Sequence, residues 1–96
     1  MITHIVLFKL AEPTVEGISI VKEKLLSMQG KLPMLRHLEA GNDIVRSPRS
    51  YDVALVTRFD SMEDLDSYQV HPYHANEVVP VMKSLCSSIV AVDYES

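Results

Sequence analysis

Four segments of the chain carry the spacing of apolar residues that predicts β-strands. Ile2 to Leu10 is rich in isoleucine, valine, leucine and phenylalanine, which indicates burial on both of its sides. Tyr51 to Phe59 alternates residue by residue between two sides, and Ile89 to Tyr94 is a shorter apolar strand. Leu35 to Val45 is the weakest of the four patterns, and its Gly41-Asn42 pair predicts a bulge.

The first helix is predicted from Val15 to Lys31, where apolar residues recur at steps of three and four. Thr14 is well placed to cap its N-terminus, because a threonine hydroxyl can accept one of the free backbone N–H groups of the first turn. Gly30 and Pro33 mark the exit from this helix. These apolar positions form one face of the helix: Val15, Ile18, Val21, Leu25, Met28 and Leu32.

A second helical region is predicted between the third and the fourth strand. Ser61 can cap a helix that runs to about Val70. His71-Pro72 ends it, since the residue before a proline disfavours helical backbone angles. Helix resumes near Tyr73 and continues to Leu85, with a fresh turn expected at the proline within it.

The predicted order of elements is β-α-β-β-α-β, which is the ferredoxin-like arrangement of the α+β class. Such a fold has an antiparallel four-stranded sheet with both helices on one face. Three of the four strands carry apolar residues on both sides, so the face without helices is also expected to be apolar. A two-fold homodimer that joins two such faces into a dimeric α+β barrel would cover it.

Size and composition narrow the class of protein further. Ninety-six residues suffice for one domain, which we expect to span residues 1–96. A net charge of −4 with scattered basic residues argues against a nucleic-acid partner. Cys86 is the single cysteine, so no internal disulfide can form, and we expect it to be a buried apolar residue. With neither a leader nor an apolar run of membrane length, the chain is expected to be cytoplasmic, with no membrane partner.

Residues that favour chemistry are concentrated in one segment, Tyr68 to His74. It holds two of the four histidines, and histidine is the side chain that changes charge near neutral pH. His71 and His74 have a spacing that could bind a divalent metal ion, but Pro72 stands between them and no third histidine or cysteine is adjacent. We therefore expect no metal and no cofactor.

These residues, with several other short motifs, resemble the stress-responsive A/B barrel domain family of the dimeric α+β barrel group. The resemblance covers essentially the whole chain. It rests on motifs in the first, third and fourth strands and around the second helix: Thr3 to Lys9, Tyr51 to Leu55, Phe59 to Ser61, Tyr68-x-x-His71-Pro72-x-His74, and Val92 to Tyr94. The motifs are specific for the family and not for any one activity.

One branch of that family, the plant polyketide cyclases, implies candidate catalytic residues in this chain. Those enzymes close a linear poly-β-keto chain by an aldol reaction without a cofactor. Their tyrosine and histidine would fall on Tyr68 and His74, and a further pocket histidine would fall on His4. The cyclases line their pocket with aromatic residues from the first helix, where this chain has aliphatic residues and a lysine, Ile18, Val21, Lys22 and Leu25. This departure argues against an aromatic polyketide substrate.

The chemistry of an aldol closure suits these residue types. A neutral histidine can remove a proton next to a carbonyl, and a tyrosine hydroxyl can donate to the oxyanion that forms. Purely structural roles compete with this interpretation: Tyr68 could cover the core, His71 could cap the preceding helix, His74 could cap the next helix, and His4 could bond to a backbone partner. His37 has no partner in the sequence and is expected at the surface.

Three hypotheses on function follow. The first is a small-molecule-binding barrel, whose sharper form is a cofactor-free cyclase-like or lyase-like enzyme acting on a largely apolar carbonyl compound. The second is a stress-associated structural homodimer without turnover, whose interior is filled. The third is a monooxygenase-like barrel, which rests on analogy of fold alone.

Overall fold

The computed structural model describes all residues from 1 to 96, and its strands form one antiparallel sheet. Their order across the sheet is β2-β3-β1-β4, so the first strand is central and the last is an edge strand. This confirms the ferredoxin-like α+β fold. The strands are β1, Ile2–Leu10; β2, His37–Asn42; β3, Val53–Phe59; and β4, Cys86–Glu95.

The helical elements lie after β1 and after β3. Helix α1, Val15–Leu26, begins at the N-cap Thr14, whose side chain accepts a hydrogen bond from the backbone N–H of Gly17. Helix α2, Met62–Val70, begins in the same way at Ser61. A π-helical segment, Tyr73–Val78, then leads without a break into helix α3, Val79–Leu85. None of these helices has the length and the apolar character needed to cross a membrane.

Alternation along the strands decides which residues face the helices. Even-numbered residues of β1 lie opposite odd-numbered residues of β3, so that Val6 pairs with Leu55 and Phe8 with Val53. All four are buried against the helices, whose apolar residues close the core from above. The helical side of this core consists of Val21, Leu25, Met28, Leu65, Tyr68, Val78 and Met82.

The opposite face of the sheet has no helix over it and is apolar, as the strand pattern predicted. Val90, Val92 and Tyr94 of β4 are 43%, 55% and 46% exposed, and Leu7 of β1 lies beside Val90. Large apolar side chains on neighbouring strands form a continuous surface, which we call the open face.

A buried carboxylate fixes the C-terminal end of β1. Asp52 is 3% exposed, and its side chain accepts a hydrogen bond from the backbone N–H of Leu10 at 2.8 Å. Its other oxygen accepts one from the guanidinium of Arg46 at 2.7 Å. Burial alone would raise the pKa of Asp52, but these two donors outweigh it and hold the pKa below its ordinary value.

Some predicted boundaries and one predicted irregularity were wrong. Helix α1 ends at Leu26 and gives way to turns, because the residues after it close short i→i+3 hydrogen bonds instead of helical ones. Strands β2 and β3 are shorter than predicted, and β4 begins at Cys86, three residues early. Gly41-Asn42 keeps a continuous register with β3, and the bulge lies instead between Lys9 and Leu10, where β4 begins to pair with β1.

Candidate functional site

A pocket of about 350 Å³ lies between the sheet and the layer formed by α2, the π-helical segment and α3. Its walls are mostly apolar, with ten hydrophobic residues among the fourteen that line it. It opens where the edge strand β4 is left uncovered by α3, beside Ile89 and Ala91. The polar residues that line it, apart from the phenol of Tyr68, are His4, Gln69, His74 and Lys83. We call this space the histidine pocket.

His4 faces the helices because it is an even-numbered residue of β1. It is 5% exposed, and its Nδ1 bonds to a carboxylate oxygen of Asp93, which lies directly opposite on β4. A carboxylate only accepts hydrogen bonds, so Nδ1 carries the proton and the ring orientation is fixed from the strand side. Thr57 donates to the backbone carbonyl of His4 from the other neighbouring strand.

Tyr68 forms the floor of the pocket. It is fully buried, with its ring centroid 4.9 Å from that of Phe59, 6.0 Å from that of His4 and 4.3 Å from that of His74. Its hydroxyl donates to the sulfur of Met28 at 3.7 Å, which is a weak acceptor. Burial raises the pKa of Tyr68 well above its ordinary value, so the phenol remains protonated and remains a donor.

The π-helical segment explains how His74 reaches the pocket. The N–H of Val79 bonds to the carbonyl of His74, five residues earlier, so this turn holds one residue more than an α-helical turn. At about 100° per residue, nine residues of α-helix would place His74 and Lys83 on opposite faces. The wider turn recovers a large part of that rotation, and both residues line the same pocket.

His74 is held with one nitrogen unused by the protein. Its Nδ1 lies 3.2 Å from the backbone carbonyl of Gln69, a group that only accepts, so Nδ1 donates and the Nε2 lone pair is left for another partner. Burial lowers the pKa of His74, and the nearby His4 and His71 lower it further, against the raising effect of the Gln69 carbonyl. The ring is therefore neutral at neutral pH, as a general base must be.

The three predicted site residues, Tyr68, His74 and His4, thus lie around one space. That space is inside the protomer, between the sheet and the helices. His71 was expected to cap the preceding helix and His74 the next one, and the structure shows other contacts for both. His71 accepts from the N–H of Tyr73 and so caps the following segment, whereas His74 bonds back to the preceding helix.

The remaining expectations concern His37 and metal binding. His37 lies on β2, away from the histidine pocket, and its side chain is 39% exposed beside Glu39. His71 and His74 bind different backbone groups, and no three histidine, cysteine or acidic side chains are arranged to hold a metal ion.

Sequence reasoning missed two residues of this site. Asp93 belongs to the Val92-Asp93-Tyr94 motif, but the motif was used only for the resemblance. Counting the antiparallel register from both chain ends would have placed it opposite His4. Lys83 was not singled out, and its position at the pocket depends on the π-helical turn, which no residue pattern signals.

Comparisons with known proteins agree with the fold and the motifs. The sequence profile of the stress-responsive A/B barrel domain matches residues 2–96. A stress-response A/B barrel domain-containing protein of Arabidopsis thaliana is 33% identical over 101 residues, which are 98% of this chain and 36% of that protein. The chain therefore spans about a third of the length of that relative.

Solved structures give the same result. A dimeric ferredoxin-like protein of unknown function from Bacteroides fragilis is 31% identical, with a TM-score of 0.82 over 99% of this chain and 95% of that one. A hydroxynitrile lyase from Passiflora edulis has a TM-score of 0.71 over 97% and 90% of the two chains, and at 18% identity this likeness shows the fold alone. With its fold, its motifs and a profile match along nearly its whole length, the chain belongs to the stress-responsive A/B barrel domain family.

Proposed function

We propose that the histidine pocket binds a small, largely apolar carbonyl compound and catalyses proton transfer next to its carbonyl group without a cofactor. The observation that carries the proposal is the meeting of Tyr68 and His74 at one apolar pocket, with ring centroids 4.3 Å apart. One is a protonated donor and the other a neutral base with a free nitrogen. That pairing is the one required to form and stabilise an enolate.

The proposed reaction proceeds in two steps. Nε2 of His74 takes a proton from the carbon beside the carbonyl, and the electron pair moves onto the carbonyl oxygen. The hydroxyl of Tyr68 donates to that oxygen, exchanging the weak sulfur acceptor of Met28 for an oxyanion. The enolate carbon then attacks a second carbonyl carbon, as in an aldol closure, and the new alkoxide takes the proton back from His74.

Access to Tyr68 sets a condition on this mechanism. Tyr68 is fully buried and its hydroxyl donates to the sulfur of Met28, so a carbonyl oxygen reaches the hydroxyl only if neighbouring side chains, that of His74 among them, shift aside. His74 is half-buried, and its ring is anchored by a single hydrogen bond to Gln69. A movement of one half-buried side chain is an ordinary event on the ps–ns scale or slower, so the buried phenol is compatible with the role.

Proton transfer can be tested without knowing the natural substrate. The probe is 2-octanone in D₂O, and NMR follows the replacement of hydrogen by deuterium on the carbons beside the carbonyl. We expect the protein to accelerate this exchange, and we expect His74→Gln to abolish the acceleration while His37→Gln retains it. If the wild-type protein and His74→Gln exchange deuterium at the same rate, the proposal is wrong.

We further propose that the chain forms a homodimer through its open face. The exposed side chains of Val90, Val92 and Tyr94 form an apolar surface that a second copy of the same surface would cover. The relative from Bacteroides fragilis is itself dimeric. Val92→Lys would place a charge in the middle of this surface, and light scattering coupled to gel filtration should then show a monomer. A Val70→Lys control, 75% exposed at the end of α2, should remain dimeric.

The structural-dimer and monooxygenase hypotheses have less support. A purely structural dimer gives no role to the pocket of each protomer or to the polar groups beside it. The monooxygenase hypothesis rests on fold analogy, and a shared fold does not carry a reaction.

A further inference from the structure

The histidine pocket has one charged residue that its proposed chemistry does not use. Lys83 lies in the last turn of α3 and is the only lysine, arginine, aspartate or glutamate among the fourteen lining residues. It is exposed at the mouth and makes no ion pair or side-chain hydrogen bond with the protein. The acidic residues that form ion pairs all do so with histidines or arginines, and none of them pairs with Lys83. A lone cation therefore stands over an apolar pocket that holds no carboxylate.

We propose that Lys83 binds the carboxylate of an amphipathic ligand whose apolar chain and ketone lie in the histidine pocket. The substrate class is then a small keto acid with an aliphatic chain. This inference rests on the proposed function, because it assumes that the ligand occupies this pocket. An ammonium group offers three donors and a positive charge, which suits a single carboxylate at a water-exposed site.

The geometry of α3 also supports an elongated ligand. Val79, Met82 and Lys83 lie three and four residues apart, so they share the face of α3 that borders the pocket. Lys83 follows His74 by nine residues, but the π-helical turn holds one of these as an extra residue, so the rise is that of about eight α-helical residues, roughly 12 Å at about 1.5 Å per residue. A ligand with its ketone at His74 and its carboxylate at Lys83 would therefore be extended. The pocket volume of about 350 Å³ is at the small end of ligand sites, which fits a narrow aliphatic molecule.

A structural role for Lys83 competes with this one, and the test must separate the two. A cation in the last turn of a helix interacts favourably with the helix dipole. Removal of Lys83 for that reason alone would lower the thermal midpoint and would change the binding of charged and neutral ligands equally. A role that is limited to the helix dipole would not change the ratio of the affinities for a carboxylate and for a ketone of the same length. That ratio is therefore the quantity to measure.

The experiment compares octanoate with 2-octanone, which have eight carbons each, by calorimetry on the wild-type protein, Lys83→Met and Lys83→Arg. We expect the wild type to bind octanoate more tightly and Lys83→Met to lose about fivefold of that affinity, as one partly exposed ion pair allows. Binding of 2-octanone should change less than twofold. Lys83→Arg should retain the preference, which should weaken between about 0.02 M and 0.5 M salt. Ring signals of His4 and His74 in NMR spectra locate the ligand, with His37 as the reference.

Three outcomes would overturn the inference, and they can be told apart. If both ligands bind and Lys83→Met leaves the octanoate preference intact, Lys83 is not the anchor, while the proposed pocket stands. If Lys31→Met, an exposed lysine outside the pocket, reduces octanoate binding as much as Lys83→Met does, the effect is one of net charge. If neither ligand binds to the wild type or shifts the His74 signals, the inference and the proposed ligand site both fail.

Discussion

The two ends of β1 each carry buried polar groups, but they are partnered in different ways. At the C-terminal end, the carboxylate of Asp52 accepts from a backbone N–H and from the guanidinium of Arg46. At the N-terminal end, the hydroxyl of Tyr68 has only a thioether sulfur as its acceptor, and His74 uses one of its two ring nitrogens. The first cluster is saturated and leaves nothing to bind a ligand. The second has unused bonding capacity beside a pocket, which is what a site requires.

The pKa values of Asp52 and His74, one from each cluster, are both lowered but for opposite reasons. Burial tends to raise the pKa of Asp52, but its hydrogen-bond donors dominate and keep the group charged. Burial dominates at His74 and keeps that group neutral. A lowered pKa therefore indicates a structural ion pair at one end of the strand and a candidate base at the other. The difference lies in the partners, not in the direction of the shift.

The largest expected effect concerns the N-terminal end of β1, where Tyr68 and His74 border the histidine pocket. Tyr68→Phe keeps the buried ring and removes the hydroxyl, which has only a weak partner in the folded protein. Deuterium exchange of 2-octanone should slow by about 100-fold, as when one oxyanion donor is removed. Unfolding in urea should change by less than about 0.5 kcal/mol. A loss of several kcal/mol without loss of exchange would make Tyr68 a core residue only.

The next largest effect concerns the C-terminal end of β1, where Asp52 is buried. Asp52→Ala leaves the buried N–H of Leu10 without an acceptor, so we expect a loss of about 2–3 kcal/mol in the free energy of unfolding. Deuterium exchange per folded molecule should not change. The control is Asp60→Ala, which breaks an exposed pair with Arg36 and should cost much less. If both variants lose the same free energy of unfolding, the buried hydrogen bonds of Asp52 contribute no more than a surface ion pair, and the comparison is wrong.

A smaller effect is expected at Asp93, which orients His4 from β4. Asp93→Asn can accept from Nδ1 but carries no charge, and it is free to present its amide instead. We expect exchange of 2-octanone to slow by about tenfold, the equivalent of one hydrogen bond of roughly 1.4 kcal/mol. The His4 ring signal in NMR spectra should move while that of His74 changes little. If the rate of deuterium exchange is unchanged, the role of Asp93 is limited to holding the ends of β1 and β4 together.

The smallest effect is a dependence of stability on pH. The pKa of His74 is lower in the folded protein than its ordinary value of 6.5, so the unfolded chain binds the proton first. The contribution of His74 is fully present above about pH 6.5 and is lost as the pH falls from there through the folded pKa. His74→Gln should flatten the unfolding free energy in this window. Asp52 acts at lower pH, below its ordinary 3.8, so a flattening confined to that range would contradict this assignment.

Most of the fold could be predicted from the sequence because it follows from periodicity. The strand alternation in Tyr51 to Phe59 and the caps Thr14 and Ser61 are local signals, and the structure confirms them. Boundaries that depend on pairing were missed. Strand β4 begins at Cys86 because β1 continues beside it to Leu10, and no local pattern in Val81 to Ser88 indicates this.

The sequence indicated which types of residue belong to the site, but it did not indicate how their side chains are arranged. Alternation left two faces open for His4, and only the burial of its strand neighbours decides between them. Tyr68 and His74 are separated by Pro72, so helical spacing could not establish whether their rings meet. The helix-covered position of the pocket and the pairing of Asp93 with His4 are long-range consequences of the fold, which a local pattern does not contain.

The single extra residue in the turn from Tyr73 to Val78 has a consequence for how such chains can diverge. Deleting one residue there, for example Ala75, would let the turn relax to an ordinary α-helix without disturbing the sheet. His74 and Lys83 would then be eight α-helical residues apart, about 80° around the axis at about 100° per residue, and would stay on one side of the helix. A turn that became α-helical with all of its residues retained would instead place the two side chains on opposite faces. In relatives without the wide turn, a spacing of eight residues between the histidine and the lysine would therefore keep the pocket, and a spacing of nine would lose it.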